Sequence, residues 1–348
     1  MWERISRLLP ETLPARPEVF GCLGAPLIAE TDLDYLIGRR LSRQALRVTL
    51  RGRALPEELY CQVDDVLPNG KQQPFVDRDR VVDLLRSGAT GIVSRADLLF
   101  PEIEEVSNGL EDRTRTPWKA SLFMTGRGAQ GLKPHLDGES VIVIQLAGSK
   151  SWMVSRLPVE QNATITRNLT PEETEAADWE EWQLKVGDVA WIPRGFAHQA
   201  AANETGSVHV SMAAEALTWW RLVSDFVDRV AREHPETREQ LPADYWKGGP
   251  EVAKEIVDRL LLVSQEMQSS PEVAEELAAD LAAEQYWMSR RGQKGGLAAA
   301  LGGKAAESRR QLVDEDNNAT AVVVDREAAL AAVGAERAGK GRASTTAQ

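Results

Sequence analysis

Cysteine is the scarcest informative residue in this chain: Cys22 and Cys61 are the two thiols among 348 residues. They are far apart and form no C-x-x-C pair, which excludes a disulfide framework and a zinc knuckle and predicts ordinary thiols in a reducing compartment. Long apolar runs are missing as well, so no stretch reaches membrane-spanning length. In MWERISRLLPETLPARPEVF charges interrupt every apolar group, unlike the uninterrupted core of a secretory signal. The expectation is a cytoplasmic protein with no membrane partner. Positive charge is in deficit, with 41 Lys and Arg against 53 Asp and Glu for a net −12. General binding to nucleic acid is therefore disfavoured and no specific nucleic acid is predicted, whereas a basic peptide is a compatible partner. No internal repeat is visible.

What is present changes character along the chain. Residues 1–116 read as a mixed α/β flank: LRVTLRG and TGIVSR have strand composition, while Asp77 to Ala89 spaces Val81, Val82, Leu84 and Leu85 for a helix that Gly88 ends. Pro101 breaks the helical stretch from Ala96 to Arg113, because proline removes a donor and restricts Phe100. Residues 117–215 are β-rich, in short runs divided by glycine, proline and acidic turns: KASLFMTG, SVIVIQLAG, SWMVSRL, WQLKVGDVAWIPRG and GSVHVSMAAE. VIVIQLA is apolar on both faces, as in a strand buried on both sides. Thr170-Pro171-Glu172-Glu173 combines an N-cap threonine, a first-position proline and a capping glutamate, which predicts a short helix there.

Residues 216–291 turn helical. Leu217, Trp220, Val223, Val227 and Val230 share one face before His234-Pro235, and Val252, Ile256, Leu260 and Met267 share another. Such apolar faces need the β core or a second copy of the chain to pack on. Residues 292–348 are rich in glycine and alanine, and read as a reduced C-terminal module with a disordered tail. The fold class expected is α+β: a double-stranded β-helix (jelly roll) core, an N-terminal α/β flank and a C-terminal helical region for dimerisation.

The chemistry concentrates in GLKPHLDGESVIVIQLAGSKSW. His135 and Asp137 stand two apart, so on a strand they face the same way. Two imidazoles and a carboxylate on one face of a divalent ion leave coordination positions open, and His198 in GDVAWIPRGFAHQA is the candidate third ligand. An H-x-D alone also fits a turn histidine beside a solvated aspartate. Here Gly187-Asp188 makes a tight turn, and Pro193-Arg194-Gly195 ends a strand just before His198, at the kind of barrel mouth where ligands converge. The Lys150 ammonium is placed to meet the far carboxylate of a metal-held dicarboxylate, although AGSKSW also fits a solvated turn.

GLKPHLD, VIVIQLAGSKSW, GDVAWIPRGFAHQA and SVHVSM, in this order, resemble the JmjC-type, cupin-like oxygenases of the ribosomal oxygenase group. The resemblance covers about Trp118 to Ala214 well. It implies iron(II) bound by His135, Asp137 and His198, and 2-oxoglutarate anchored by Lys150 with Ser207, Ser121 and Phe123 in the co-substrate site. Ser121 and Phe123 stand where relatives often carry asparagine and tyrosine, so Phe123 offers no hydroxyl and more of that binding falls to Lys150. His209 is a candidate for a catalytic role or for a core histidine. The implied function is hydroxylation of a peptide or protein side chain, histidine or arginine, in a ribosomal protein or a natural-product precursor peptide, by a homodimer. A small-molecule hydroxylase of the same cofactor class and a non-catalytic metal-binding module are the alternatives. Trp118, Trp152, Trp191 and Arg194 are candidates for the mouth, with core packing the alternative for the tryptophans, and Gly138-Glu139 marks the wall where the substrate is to be sought.

Overall fold

The computed structural model describes residues 1–29, 41–66, 72–215, 218–241 and 245–269. The expectations for Leu217, for residues 270–291 of the helical region and for residues 292–348 lie outside the described residues. The N-terminal part runs α1 (Trp2–Ser6), β1 (Glu18–Cys22), β2 (Leu46–Leu50), β3 (Arg53–Ala54), β4 (Cys61–Val66), β5 (Gln72–Val76), α2 (Arg78–Arg86), β6 (Thr90–Ser94) and α3 (Pro101–Thr114). The β-rich part follows as β7 (Trp118–Thr125), β8 (His135–Leu136), β9 (Ser140–Pro158), β10 (Arg167–Asn168), α4 (Pro171–Ala176), β11 (Trp179–Lys185), β12 (Asp188–Ile192) and β13 (Phe196–Ala214). Two helices close the described chain, α5 (Trp219–Glu233) and α6 (Pro250–Ser269).

Local chemistry sets several of these boundaries. The Asp77 carboxylate accepts from the backbone N–H groups of Asp79 and Arg80 and so starts α2. Pro101 occupies the first turn of α3 with Phe100 extended before it, as a residue preceding proline must be. Thr170 and Glu173 cap α4 reciprocally, each side chain bonded to the other's backbone N–H.

The two apolar runs SVIVIQLAG and SWMVSRL, expected as successive strands, are one strand of 19 residues, β9, and β13 is equally long. Each long strand serves two antiparallel sheets. The first halves of β9 and last half of β13 pair in the order β1-β12-β9-β13-β7-β6-β2-β3; the remaining halves pair with each other, with β11 beyond β9 and β8 and β10 beyond β13. The strands bend from one sheet to the other where Gly148 takes a φ of +62° and a Cβ would come within 2.1 Å of the Gly206 carbonyl oxygen. Only glycine meets both demands cheaply.

This geometry explains why VIVIQLA is apolar on both faces. Val141 and Val143 face the space between the sheets with Trp152, Val154, Leu184 and Phe196. Ile142, Ile144 and Leu146 face outward and pack with Ile103, Val106 and Leu110 of α3, which covers the larger sheet. The architecture is thus an antiparallel jelly-roll core with helices against it. α5 buries Phe226 and Val230 but leaves Trp219, Trp220, Val223 and Val227 exposed, and Ile256 and Leu260 of α6 are exposed too. Both cysteines are free thiols. Among the described residues no helix is long and apolar enough to cross a membrane.

Candidate active site

His135 and His198 are direct cross-strand partners in the β8–β13 pair, which brings their ring centroids to 4.2 Å. Asp137 follows β8 by one residue on the same face, with Oδ2 at 3.4 Å from His198 Nε2 and Oδ1 at 3.9 Å from His135 Nε2. One ligand atom from each residue lies within 4.8 Å of the others. The Nδ1 atoms are engaged elsewhere: His135 Nδ1 lies 2.8 Å from the Lys133 carbonyl and His198 Nδ1 3.2 Å from that of Phe196. With the proton on Nδ1 both carbonyls are satisfied, and both Nε2 lone pairs face the Asp137 carboxylate across a common space. Anchoring the far nitrogen in this way fixes tautomer and ring orientation.

Electrostatics put His135 and Asp137 in the protonation states a cation requires. Burial, helped by the neighbouring His198, pushes the His135 pKa down to about 4, so its imidazole is neutral at neutral pH. Burial opposes ionisation of Asp137, but its neighbours His198 and His135, with the Thr166 hydrogen bond, outweigh it and hold the carboxyl below its ordinary range. Thr166 donates to Asp137 Oδ1 at 3.1 Å. The loop carrying it can approach because residue 138 is glycine: a Cβ there would meet Ile165 N and the Thr164 carbonyl carbon at 2.5 Å.

The three residues open onto a cavity of about 290 Å³ between the sheets, which Lys150 also lines. Strict alternation along β9 would place Lys150 on the face opposite Val141 and Val143. The β9–β13 register slips by one residue between the pairs Val208↔Ala147 and His209↔Gln145, so Lys150 and Trp152 join Val141 and Val143 on the cavity wall. Such a bulge reverses which face alternate residues occupy. Lys150 is 3% exposed, not a solvated turn residue, and burial lowers its pKa to about 7. Its ammonium donates to Thr125 Oγ1 at 3.1 Å, and Thr125 takes a further hydrogen bond at 3.3 Å from Thr90.

Ser121 and Phe123 line the cavity as expected from the alternation of β7. Ser207 does not: it is buried beyond the cavity wall, where its hydroxyl accepts from Gln145 Nε2 at 2.8 Å. His209 lines the wall, stacked parallel on Phe123 at 4.9 Å and edge-on to Trp152 at 5.2 Å. Burial, then the charges of Lys150 and His198, push its pKa well below the ordinary value, so it is a neutral ring. Of the four residues expected at the mouth, Trp152 alone lines the cavity. Trp118 donates to Thr114, Trp191 to the Pro14 carbonyl, and Arg194 to Ala163 and Asn162, because α3 and the N-terminal flank claim the outward face of the larger sheet.

Arg47, Thr90, Thr125, Thr166 and Glu139 complete the surroundings, the first four unassigned by sequence reasoning. Thr125 was legible, two residues after Phe123 and so on its face. Arg47 and Thr166 carried no signal, being brought in by the β2–β6 and β8–β10 pairings.

Residues 103–222 match the family model for the JmjC domain. The Dictyostelium discoideum protein named Bifunctional lysine-specific demethylase and histidyl-hydroxylase NO66 is 31% identical over 159 residues, covering 40% of this chain and 31% of that protein. Ribosomal oxygenase 1 of Danio rerio is 25% identical over 187 residues, covering 51% of this chain and 34% of that one. The chain therefore spans about a third of the length of these curated relatives. A solved structure of YcfD, a ribosomal oxygenase from Escherichia coli, in complex with cobalt and 2-oxoglutarate, is 17% identical with a TM-score of 0.45, covering 80% of this chain and 70% of that one.

Proposed function

We propose, from the match of residues 103–222 to the JmjC domain model, that the chain is an Fe(II)- and 2-oxoglutarate-dependent hydroxylase of a peptide or protein side chain. The observation that carries the reading is the convergence of His135, Asp137 and His198 on one cavity with the buried ammonium of Lys150. Two neutral imidazoles and a carboxylate suit a divalent iron that must keep positions open. The relatives named as ribosomal oxygenase and histidyl-hydroxylase support the reaction class and a protein substrate, and the target residue in this reading is histidine or arginine.

In this reading His135, Asp137 and His198 hold the metal, and Lys150 takes the co-substrate carboxylate remote from it. When bound, iron and 2-oxoglutarate supply the activation of oxygen that delivers a hydroxyl to the target carbon. The chain's own part is placement. The Lys133 and Phe196 carbonyls hold the two imidazoles in their ligating tautomers, and Thr166 steadies the carboxylate. Thr125 holds the ammonium, whose remaining donors are free for a carboxylate. Phe123, Trp152 and His209 form a wall of rings that excludes water. Ser121 and Phe123 flank the co-substrate; Ser207, with its hydroxyl committed to Gln145, contributes by shaping the strand behind it. The exposed apolar faces of α5 and α6 support a homodimer in which these helices meet.

The test is release of succinate by the purified protein given iron(II), 2-oxoglutarate and oxygen, with a gain of one oxygen atom on captured partner peptides. No succinate with any peptide, together with unchanged metal content in His135→Ala, would refute it. Light scattering after size exclusion reads the dimer, and a monomer at micromolar concentration would contradict it.

A further inference from the structure

We infer that the hairpin of β2 and β3, at one end of the larger sheet, is a docking surface for the phosphate backbone of a nucleic-acid duplex. The inference stands apart from the hydroxylase reading and does not depend on it.

A net charge of −12 disfavours such a partner only as an average over the chain. Between Asp34 and Glu57 the sequence holds Arg39, Arg40, Arg43, Arg47, Arg51 and Arg53 and no acidic residue, the first two lying outside the described residues. At ~0.1 M salt a charge is felt over about 10 Å. A polyanion touching this segment therefore meets the local arginines, not the whole-chain sum.

The fold turns the segment outward. Leu46 and Val48 are buried in the core, and the exposed residues among 46–54 are Arg47, Arg51, Arg53 and Ala54. Arg51 and Gly52 join the strands at φ values of 52° and 72°, and at the first of these turn positions asparagine or glycine is the easier residue. An arginine stands there instead. Leu50 pairs with Arg53, so alternation places Arg53 on one face of the ribbon and Arg47 on the other. Guanidinium groups thus occupy both faces and the tip. Lys133 adds a fourth cation, its Cγ lying 2.6 Å from where a Cβ on Gly52 would stand. Glu57 neutralises Arg43 at 3.2 Å. Among the described residues no ion pair or hydrogen bond engages the side chains of Arg47, Arg51, Arg53 or Lys133.

Chemistry then selects the partner. A guanidinium fork matches phosphate through two parallel N–H groups. Protein partners are anchored by buried aromatic and apolar side chains, and single strands by stacking on aromatic rings. Beyond the Ala54 methyl, the hairpin exposes neither. A membrane plane would meet one face alone, whereas the groove of a duplex admits a two-stranded ribbon between its walls. Arg47 also lines the cavity, in register with Ile92 and Phe123 across the sheet. The bound duplex accordingly lies beside the cavity opening.

The test titrates the full chain into a fluorescein-labelled DNA duplex of about 16 base pairs and reads anisotropy between about 50 and 200 mM salt. Four cation contacts predict a slope of about −3.5 in log affinity against log salt, or roughly a 100-fold loss over that range. An RNA duplex of the same sequence is expected to bind within about threefold, because phosphate contacts carry no base identity. The double variant Arg51→Gln/Arg53→Gln is expected to weaken binding about tenfold or more and to bring the slope to about −2. Arg53→Gln alone, outside the turn, should give about half of that loss on a logarithmic scale, while Arg232→Gln, an exposed arginine of α5, changes nothing. Thermal melting checks that each variant is folded. Absence of duplex binding at 50 mM salt, a larger difference between DNA and RNA, or a slope untouched by the double substitution overturns the inference. So does equal binding of a glutamate 20-mer or of phosphatidylserine vesicles.

Discussion

The two ends of the cavity are built on opposite principles. At the metal end, every group has its second partner: each imidazole a backbone carbonyl, the carboxylate a threonine hydroxyl. At the far end, a lysine is buried to 3% exposure with one hydroxyl as hydrogen-bond partner and the Trp152 ring 5.7 Å away. The metal end is rigid before anything binds; the lysine end is a desolvated charge waiting for its counter-ion. The difference teaches that this cavity has spent its stabilising contacts on orientation at one end and stored an electrostatic cost at the other. Each end then breaks differently.

The largest effect belongs to the rigid end. His198→Ala removes a ligand whose ring is buried and held on both sides, and leaves Asp137 without its main stabilising neighbour. Metal affinity is expected to fall by more than ~100-fold, since loss of even an outer partner costs 10- to 100-fold. Titration with cobalt, followed by absorbance, reads it. Stoichiometric binding by the variant would show that the triad is not the metal site.

Next comes the bend that separates the ends. Gly148→Ala places a Cβ 2.1 Å from the Gly206 carbonyl oxygen at a φ of +62°, so backbone must move. A loss of roughly 2–4 kcal/mol is expected from the combined strain and clash. Urea unfolding measures the stability. The sharper reading is functional: 2-oxoglutarate affinity should suffer more than cobalt affinity, because the metal ligands lie on β8 and the far half of β13 while Lys150 follows the bend directly. Equal losses would mean that the two ends are not separable.

These two sites also differ in how far the sequence alone could show them. H-x-D is a local spacing, and its two-residue step survives in the structure, so His135 and Asp137 were legible. His198 was legible as the histidine at the end of a strand bounded by Gly187 and Gly195. Lys150 was legible from its place beyond the strand that follows Asp137 but not from its face, because alternation from Val141 would have turned it outward; one slipped residue in the β9–β13 register reverses that. Trp118 and Trp191 could not be assigned between mouth and packing for the same reason, since an aromatic in a two-sided sheet does not declare its face; α3 holds the first and the N-terminal flank the second. The continuous run of β9 was hidden by Gly148, which reads as a strand end and acts as a bend. Arg47 and Thr166 reach the site through pairings between distant segments, which no local pattern encodes.

Lys150→Met tests the stored cost itself. A methionine fills the same channel without a charge, so 2-oxoglutarate affinity is expected to drop about tenfold or more while cobalt affinity stays within about twofold. Thermal stability should rise, because a buried ammonium with a single partner is replaced by an apolar group. The folded pKa of about 7 lies below the unfolded value of 10.5, so the wild type gains stability as pH rises through that interval. The advantage of the methionine variant should accordingly be greatest below pH 7 and fade toward pH 10. Calorimetric melting at several pH values measures it, and a destabilised variant at pH 6 would show that Lys150 is a structural cation.

The smallest effect is the most diagnostic of the contrast. With its pKa near 7 in the unliganded protein, Lys150 is largely neutral at pH 8.5. A bound carboxylate favours the ammonium and raises its pKa, so binding at that pH must take up close to one proton. At pH 6 the lysine is already charged and uptake should be near zero. Apparent affinity for 2-oxoglutarate should therefore weaken as pH climbs above 7, by up to about tenfold per unit until the pKa of the bound state is reached. His135, neutral above about pH 4, contributes nothing in this window, so the metal end should be flat where the lysine end slopes. Calorimetric titration of the zinc-loaded protein in two buffers of different ionisation heat counts the protons. Uptake at pH 8.5 that disappears in Lys150→Met assigns the slope to the buried lysine; uptake that persists there would place the titrating group elsewhere and dissolve the distinction between the two ends.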